Sequence, residues 1–235
     1  MEGYISESVV ILSGLVMASL QLPLGALLLL YHSSLGKNVR KTTKRLASSF
    51  ISGATLMIFL LLASSCFLIS AFSSAGVLSD TTLSVLFGIL LALGVVAWFF
   101  YYKRRGSTEL WLPRGVAHFI DARAKVTKDF KEAFSLGLLA MLSEILFIIP
   151  LLLLAADSVL RLTSPLFQAF ALTVFTFLSV LPLIVLRLVL RRGRNVAEVQ
   201  RWRLKNQTFF RIFSGCGYVV LAAFLLAFVI MGGTR

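Results

Sequence analysis

Six apolar stretches divide this chain, and 21 of its 23 Lys and Arg residues fall in three alternate intervals between them. Such alternation is the mark left on a membrane protein whose cationic loops all stay on one side. The stretches run approximately over residues 9–31, 46–72, 81–101, 134–156, 165–186 and 209–232. Each is roughly 20 residues or longer, enough at about 1.5 Å per residue to cross about 30 Å of hydrocarbon. Charged residues make up 14% of the chain and the mean hydropathy is +0.92, which leaves too little polar surface to cover a soluble fold of this length. The pattern predicts an all-α integral membrane protein with six transmembrane helices.

The cations set an expected orientation. Lys37, Arg40, Lys41, Lys44 and Arg45 occupy the first interval, and Lys103, Arg104, Arg105, Arg114, Arg123, Lys125, Lys128 and Lys131 the third. Arg187, Arg191, Arg192, Arg194, Arg201, Arg203, Lys205 and Arg211 belong to the fifth. These three loops are expected to face the cytoplasm of a cell (inner) membrane, with both termini outside. The second and fourth loops carry only Asp80, Asp157 and Arg161 among charged residues. The net charge of +13 then reflects topology and contact with an anionic inner leaflet rather than nucleic-acid binding. The first stretch lacks the basic front and small-residue cleavage site of a secretory leader and is read as a helix of the protein.

Sliding the second half back by 123 positions places the fourth stretch on the first. Ser13-Gly14-Leu15 then meets Leu136-Gly137-Leu138, Gln21 meets Glu144, and Leu28-Leu29-Leu30 meets Leu151-Leu152-Leu153. Three spans per half is an odd number, so the halves enter the membrane in opposite directions, an arrangement common in secondary transporters. The division is residues 1–102 for the first three-helix repeat, 103–133 for a cytoplasmic connector and 134–235 for the second repeat. In the connector, Pro113 is placed to open a helix, and Val116, Phe119, Ile120, Val126 and Phe130 recur at helical spacing. It reads as an amphipathic segment on the leaflet surface with Trp111 at the interface.

Glu144 is the one acidic residue within the six stretches as bounded here. A carboxylate in hydrocarbon costs several kcal/mol unless protonated, paired or facing water, so Glu144 is a candidate for proton coupling, or for a neutral hydrogen bond to a neighbouring helix. Gln21, Pro23 and Gly25 fall within five residues in the first span, and Glu144 is followed by Pro150 in the fourth. Proline removes a backbone donor, and the freed carbonyls either coordinate a polar ligand or merely shape a kink. Pro182 is a third such position. Ser48, Ser49, Ser52, Gly53, Ser64 and Ser65 in the second span, and Ser214, Gly215, Cys216 and Gly217 in the sixth, let helix backbones approach closely. The deepest hydroxyls, Ser64 and Ser65, are also transport-site candidates. His32 and His118 read as interfacial hydrogen-bonding residues. No catalytic triad, carboxylate pair, phosphate loop or zinc spacing is present, so neither an enzyme nor a cofactor or metal is expected.

Gly14-Leu15-x-x-x-Ser19-x-x-x-Pro23 running into Leu27–Leu30, then Ser34-Leu35-Gly36 and a basic turn, resembles the start of LysE-type exporters. Phe210-Arg211-Ile212-Phe213-Ser214-Gly215 before an apolar span is similar to their last helix. The wider superfamily joins these exporters with the CcdA/DsbD thiol carriers, and the resemblance implies six spans in two inverted triplets. The exporters' Pro-Gly-Pro is represented here by Pro23-Leu24-Gly25. Where the thiol carriers have redox cysteines in spans one and four, this chain has Gln21 and Glu144, and its two cysteines, Cys66 and Cys216, fall in spans two and six.

Three functions are compatible with these residues. The first is secondary transport, with export of an amino acid or similar small metabolite coupled to proton or ion movement. The second is a non-transporting subunit or anchor of a larger membrane complex, docked through the basic loops. The third is a thiol/disulfide electron carrier using Cys66 and Cys216. The small-residue faces also allow a homodimer.

Overall fold

In the computed structural model, the described residues are 2–20, 22–33, 39–73, 76–100, 119, 122–124, 127, 129–192 and 196–230. Among them every regular element is a helix: α1 (Glu2–Ala18), α2 (Leu22–Ser33), α3 (Val39–Phe72), α4 (Asp80–Phe100), α5 (Phe130–Leu142), α6 (Ile145–Leu160), α7 (Pro165–Arg191), α8 (Val196–Lys205) and α9 (Gln207–Phe224), the last continuing into π-helical turns over Leu225–Ile230. Four segments are long and apolar enough to cross a membrane: Arg45–Phe72, Asp80–Phe99, Pro165–Arg191 and Thr208–Ala227. The pair α5 and α6 makes a fifth if counted as one span, although it bends by 78°. α1 and α2 are each too short to cross alone. Phe67, Phe72, Leu146, Leu166 and Phe170 are exposed on these elements, as suits helices of a multi-pass membrane protein whose outer faces meet lipid.

Local chemistry sets the helix ends. Ser79 caps α4, its Oγ accepting the Thr82 N–H at 3.3 Å. Pro165 opens α7 at a position where no intrahelical donor is needed. Gly76, at φ 70°, turns the loop between α3 and α4 through a region that disfavours side chains.

α6 is the most enclosed helix, with Ile148, Leu151, Leu154, Ala155 and Ala156 all at 1% exposure or less. α1 packs against α6 and α7, α3 against α5, α6 and α7, and α4 against α9. Glycine sets how closely these helices approach. A Cβ on Gly53 would stand 2.1 Å from the Phe134 carbonyl oxygen, and one on Gly137 would stand 2.1 Å from that of Phe50. The α4–α9 crossing is also reciprocal: a Cβ on Gly94 would lie 3.3 Å from the Gly215 oxygen, and one on Gly215 would lie 3.2 Å from the Gly94 oxygen. A Cβ on Gly217 would meet Val16 of α1 at 3.0 Å. These small-residue faces, read above as room for a homodimer, are thus engaged within the chain.

The first apolar stretch forms two helices, α1 and α2, interrupted after Ala18. One reading changes. Asp157, assigned to the short fourth loop, lies inside α6 at 2% exposure. Its Oδ1 accepts the Leu78 N–H at 2.7 Å and its Oδ2 the Arg161 Nε–H at 2.8 Å. The helix runs further than the apolar stretch because this carboxylate is satisfied where it is buried, holding the α3–α4 loop against the end of α6. Most of the connector, including Pro113, Trp111 and His118, lies outside the described residues.

Candidate functional site

Both breaks are built from the sequence around them. At the end of α1 the Ser19 and Leu20 N–H groups turn back to the Val16 and Met17 carbonyls at 3.0 and 3.1 Å, and the Ser19 hydroxyl donates to Val16 O at 2.6 Å. Three-residue bonds of this kind tighten and end a helix. α2 then begins with Pro23 at its second position. At the end of α5 the Ser143 hydroxyl donates to Ala140 O at 2.6 Å, and the Glu144 N–H reaches Met141 O at 3.3 Å. Glu144 leaves helical geometry at φ −97°, ψ 14°, and its own carbonyl accepts the Phe147 and Ile148 N–H groups at 2.9 and 3.1 Å, starting α6 in its new direction.

α9 joins the two breaks. Its Ser214 hydroxyl donates to the Ser19 carbonyl at 3.3 Å, and the wholly buried Tyr218 donates to the Phe147 carbonyl at 3.0 Å. α7 completes the site with Pro182, which offers no N–H to the Leu178 carbonyl.

The elements enclose a cavity of about 10 Å³, close to the room one water needs. Met17, Ala18 and Leu20 line it from the first break, Met141, Glu144 and Ile148 from the second, and Ser179, Pro182 and Leu183 from α7. Glu144 is 2% exposed, sits at the start of α6 where the helix dipole favours an anion, and has interactions within the chain. A larger cavity of about 480 Å³ adjoins it and shares Ala18, Leu24 and Pro182. α8 lines this larger space with Glu198, Val199, Trp202 and Arg203, and α9 lines it with Phe209, Phe210 and Phe213.

The structure therefore brings Glu144 beside the first break. Gln21 lies outside the described residues, as does the side chain of Pro23. Gly25 lies one turn into α2, under the Arg203 guanidinium: a Cβ there would be 3.5 Å from Nη1. Pro150 is buried in α6 and lines neither cavity. Ser64 and Ser65 are apart from the site, both donating to the Leu61 carbonyl, at 3.0 and 2.8 Å. Cys66 Sγ is 4.0 Å from the Ala156 carbonyl oxygen, and neither it nor Cys216 lines these cavities. Of the surface cations, Arg45, Arg191 and Arg192 are exposed. Lys37 and Arg194, and the side chains of Arg40, Lys41 and Lys44, lie outside the described set. Among the described residues no three His, Cys, Asp or Glu side chains come together as metal ligands.

Sequence reasoning missed Ser179, Tyr218 and the inward face of α8. Ser179 stands one turn before Pro182 on the same helix face, a usable signal. The buried Arg203 had none, since it sits among cations that include the exposed Arg191, Arg192, Arg201 and Lys205. No family model, curated protein or solved structure matches this chain at a significant level.

Proposed function

We propose that this chain is a six-span membrane protein of two inverted three-helix halves that works as a secondary transporter, an exporter of an amino acid or similar small metabolite driven by proton or ion exchange. In this reading α1 with α2 is the first span, α5 with α6 the fourth, and the basic loops face the cytoplasm. The observation that carries it is the meeting of the two helix breaks. α1 ends at Ala18 and α5 at Leu142, close to the 123-residue offset between the halves, and a buried carboxyl, a proline and an adjoining cavity converge there. Discontinuous helices at matching places in two halves are how transporters build a site near the midplane.

The glycines support the same two-fold relation. Gly14 and Gly137 correspond at that spacing, and each sits on the first part of a broken span, facing the second span of the other half. Gly137 meets the Phe50 carbonyl of α3, while a Cβ on Gly14 would lie 3.4 Å from the Phe175 carbonyl oxygen of α7. Gly94 and Gly215 meet each other across the two third spans. The LysE-type resemblance agrees with this layout.

Glu144 supplies the coupling. Moving its proton changes the charge in a site with little room for water, so the charged form favours a conformation that admits water or a cation and the neutral form favours closure. Substrate and proton then bias the same pair of states. The test is flux of a labelled panel of amino acids and small organic acids through proteoliposomes holding the purified protein, with and without an imposed pH gradient. Gradient-dependent flux of any member supports transport. No flux from folded protein removes it in favour of a subunit of a larger complex.

A further inference from the structure

We propose that the larger cavity is a lateral groove for one acyl chain of a phospholipid with an anionic headgroup, its phosphate resting against the exposed cations of α8 and of the end of α7. The inference rests on helices that meet a bilayer and not on transport.

The cavity of about 480 Å³ lies between α7 and α9, both long and apolar enough to cross a membrane. Val185 and Val189 line it from α7, and Phe209 and Phe213 from α9. Yet Val185 is 48% exposed, Phe209 62% and Phe213 52%. Side chains that line a space and remain half open put its mouth on the outer surface between two spans, where the surrounding medium is lipid. Water finds few partners on such walls, whereas hydrocarbon fills them without loss. The rings are already ordered: Trp202 and Phe210 meet edge to face with centroids 5.6 Å apart, and Phe209 stacks on Phe213 at 5.9 Å. At its inner end the groove reaches Ala18, Leu24 and Pro182, which it shares with the small cavity beside Glu144, so a chain seated there covers that cavity on one side.

Charge gathers at the other end. α7 finishes in the exposed Arg191 and Arg192, and α8 carries the exposed Arg201 and Lys205. Helical hydrogen bonds continue across the α8–α9 junction, from the Asn206 N–H to Trp202 O at 3.0 Å and from the Phe210 N–H to Asn206 O at 3.2 Å, which sets Lys205 about one turn from Phe209 of the wall. Val199 and Trp202 line the groove while Arg201 and Lys205 face outward, the division expected of a helix lying in the membrane interface with its Trp at headgroup depth. Cations in this position attract anionic lipid and donate to phosphate oxygens. Arg203 is engaged within the chain and lies against Gly25 of α2, so it closes one side of the groove and is not needed by the phosphate. A second copy of the chain across the same mouth would bring two sets of these cations together, which like charges oppose.

Native mass spectrometry of the full-length protein, delipidated in detergent and titrated with phosphatidylglycerol or with phosphatidylcholine of identical chains, tests the site. The unaltered protein is expected to retain one phosphatidylglycerol per chain, at least about tenfold more tightly than phosphatidylcholine. Val189→Trp, which fills the groove from α7, is expected to lose it, while Leu188→Trp, which adds the same ring at an exposed position outside the groove, keeps it. Arg201→Gln combined with Lys205→Gln is expected to bring the two lipids within about twofold of each other. Equal binding of the two lipids by the unaltered protein overturns the anionic headgroup. Undiminished binding in Val189→Trp, or equal loss in Leu188→Trp, overturns the groove as its place, and an unchanged preference in the doubly altered protein overturns the placement of the phosphate. Retention of no lipid by folded protein overturns the proposal outright, and a lipid-free dimer that Val189→Trp dissociates gives the groove to a second copy instead.

Discussion

Ser214 and Tyr218 lie one helical turn apart on α9, and each hydrogen-bonds the backbone beside a different helix break, Ser214 at Ser19 and Tyr218 at Phe147. A single helix face thus holds both interruptions in one register. Residues 195 and 71 positions apart in sequence become neighbours of one site.

Tyr218→Phe keeps the ring in its buried place and removes only the bond to Phe147. The expected cost is about 1 kcal/mol, the ordinary net value of one buried hydrogen bond. Thermal unfolding in detergent should show a lower midpoint, and an unchanged midpoint would mean the bond does not hold the second break.

Gly137→Ala places a methyl 2.1 Å from the Phe50 oxygen, on backbone that cannot rotate away. α3 and α5 must separate, at an expected loss of about 1–3 kcal/mol. Gly88→Ala is the contrasting substitution, since nothing lies within 4 Å of its Cβ position in α4. There the better helix propensity of alanine should stabilise by about 0.5–1 kcal/mol. Equal effects of the two variants on unfolding would contradict the close crossing.

Asp157→Ala leaves the Leu78 N–H without its acceptor, an expected loss of about 1–3 kcal/mol. Arg161→Ala should cost less, on the order of 0–1 kcal/mol, because Arg161 is 37% exposed and water screens the pair. Hydrogen exchange at the Leu78 amide separates the two: faster in Asp157→Ala, little changed in Arg161→Ala.

Glu144→Gln keeps size and most hydrogen bonding while fixing the charge at zero. In proteoliposomes it should abolish gradient-driven flux and spare substrate exchange without a gradient. Retention of full gradient-driven flux would remove Glu144 from the coupling mechanism.

The proposed orientation is open to labelling. With Cys66 and Cys216 replaced by alanine, Arg45→Cys and Arg191→Cys should react with an impermeant maleimide only from the cytoplasmic side, and Asp80→Cys only from the opposite side. Reaction of all three from one side would refute the loop assignment.

Much of this arrangement was legible in the chain. Apolar length and the placement of Arg and Lys are one-dimensional signals, so helical class, most spans and the basic surfaces follow from them. That Glu144 needs a special environment was legible because a carboxyl amid leucines is costly wherever it sits, and the structure buries it beside the first break. Asp157 was misplaced because burial of a charge at a helix end depends on partners, the Leu78 amide above all, that arrive from another part of the chain. Ser64 and Ser65 were candidates by depth, but that they line neither cavity depends on how α3 crosses its neighbours, which their positions in the sequence do not show.

The sequence by itself determined that this is a helical chain with apolar stretches long enough for a bilayer, a polar position in the middle of the first and the fourth stretch, and glycines where helices must touch. Only the tertiary structure decided that α5 and α6 turn by 78°, that Pro182 closes on both breaks, and that Arg203 leaves the basic surface for the inside of a cavity. The physical reason is that hydropathy and charge act residue by residue along the chain. Which carbonyl a hydroxyl finds, and which cation is buried, depends on how helices distant in sequence cross, and that is set by the close approach at Gly53, Gly94, Gly137 and Gly215.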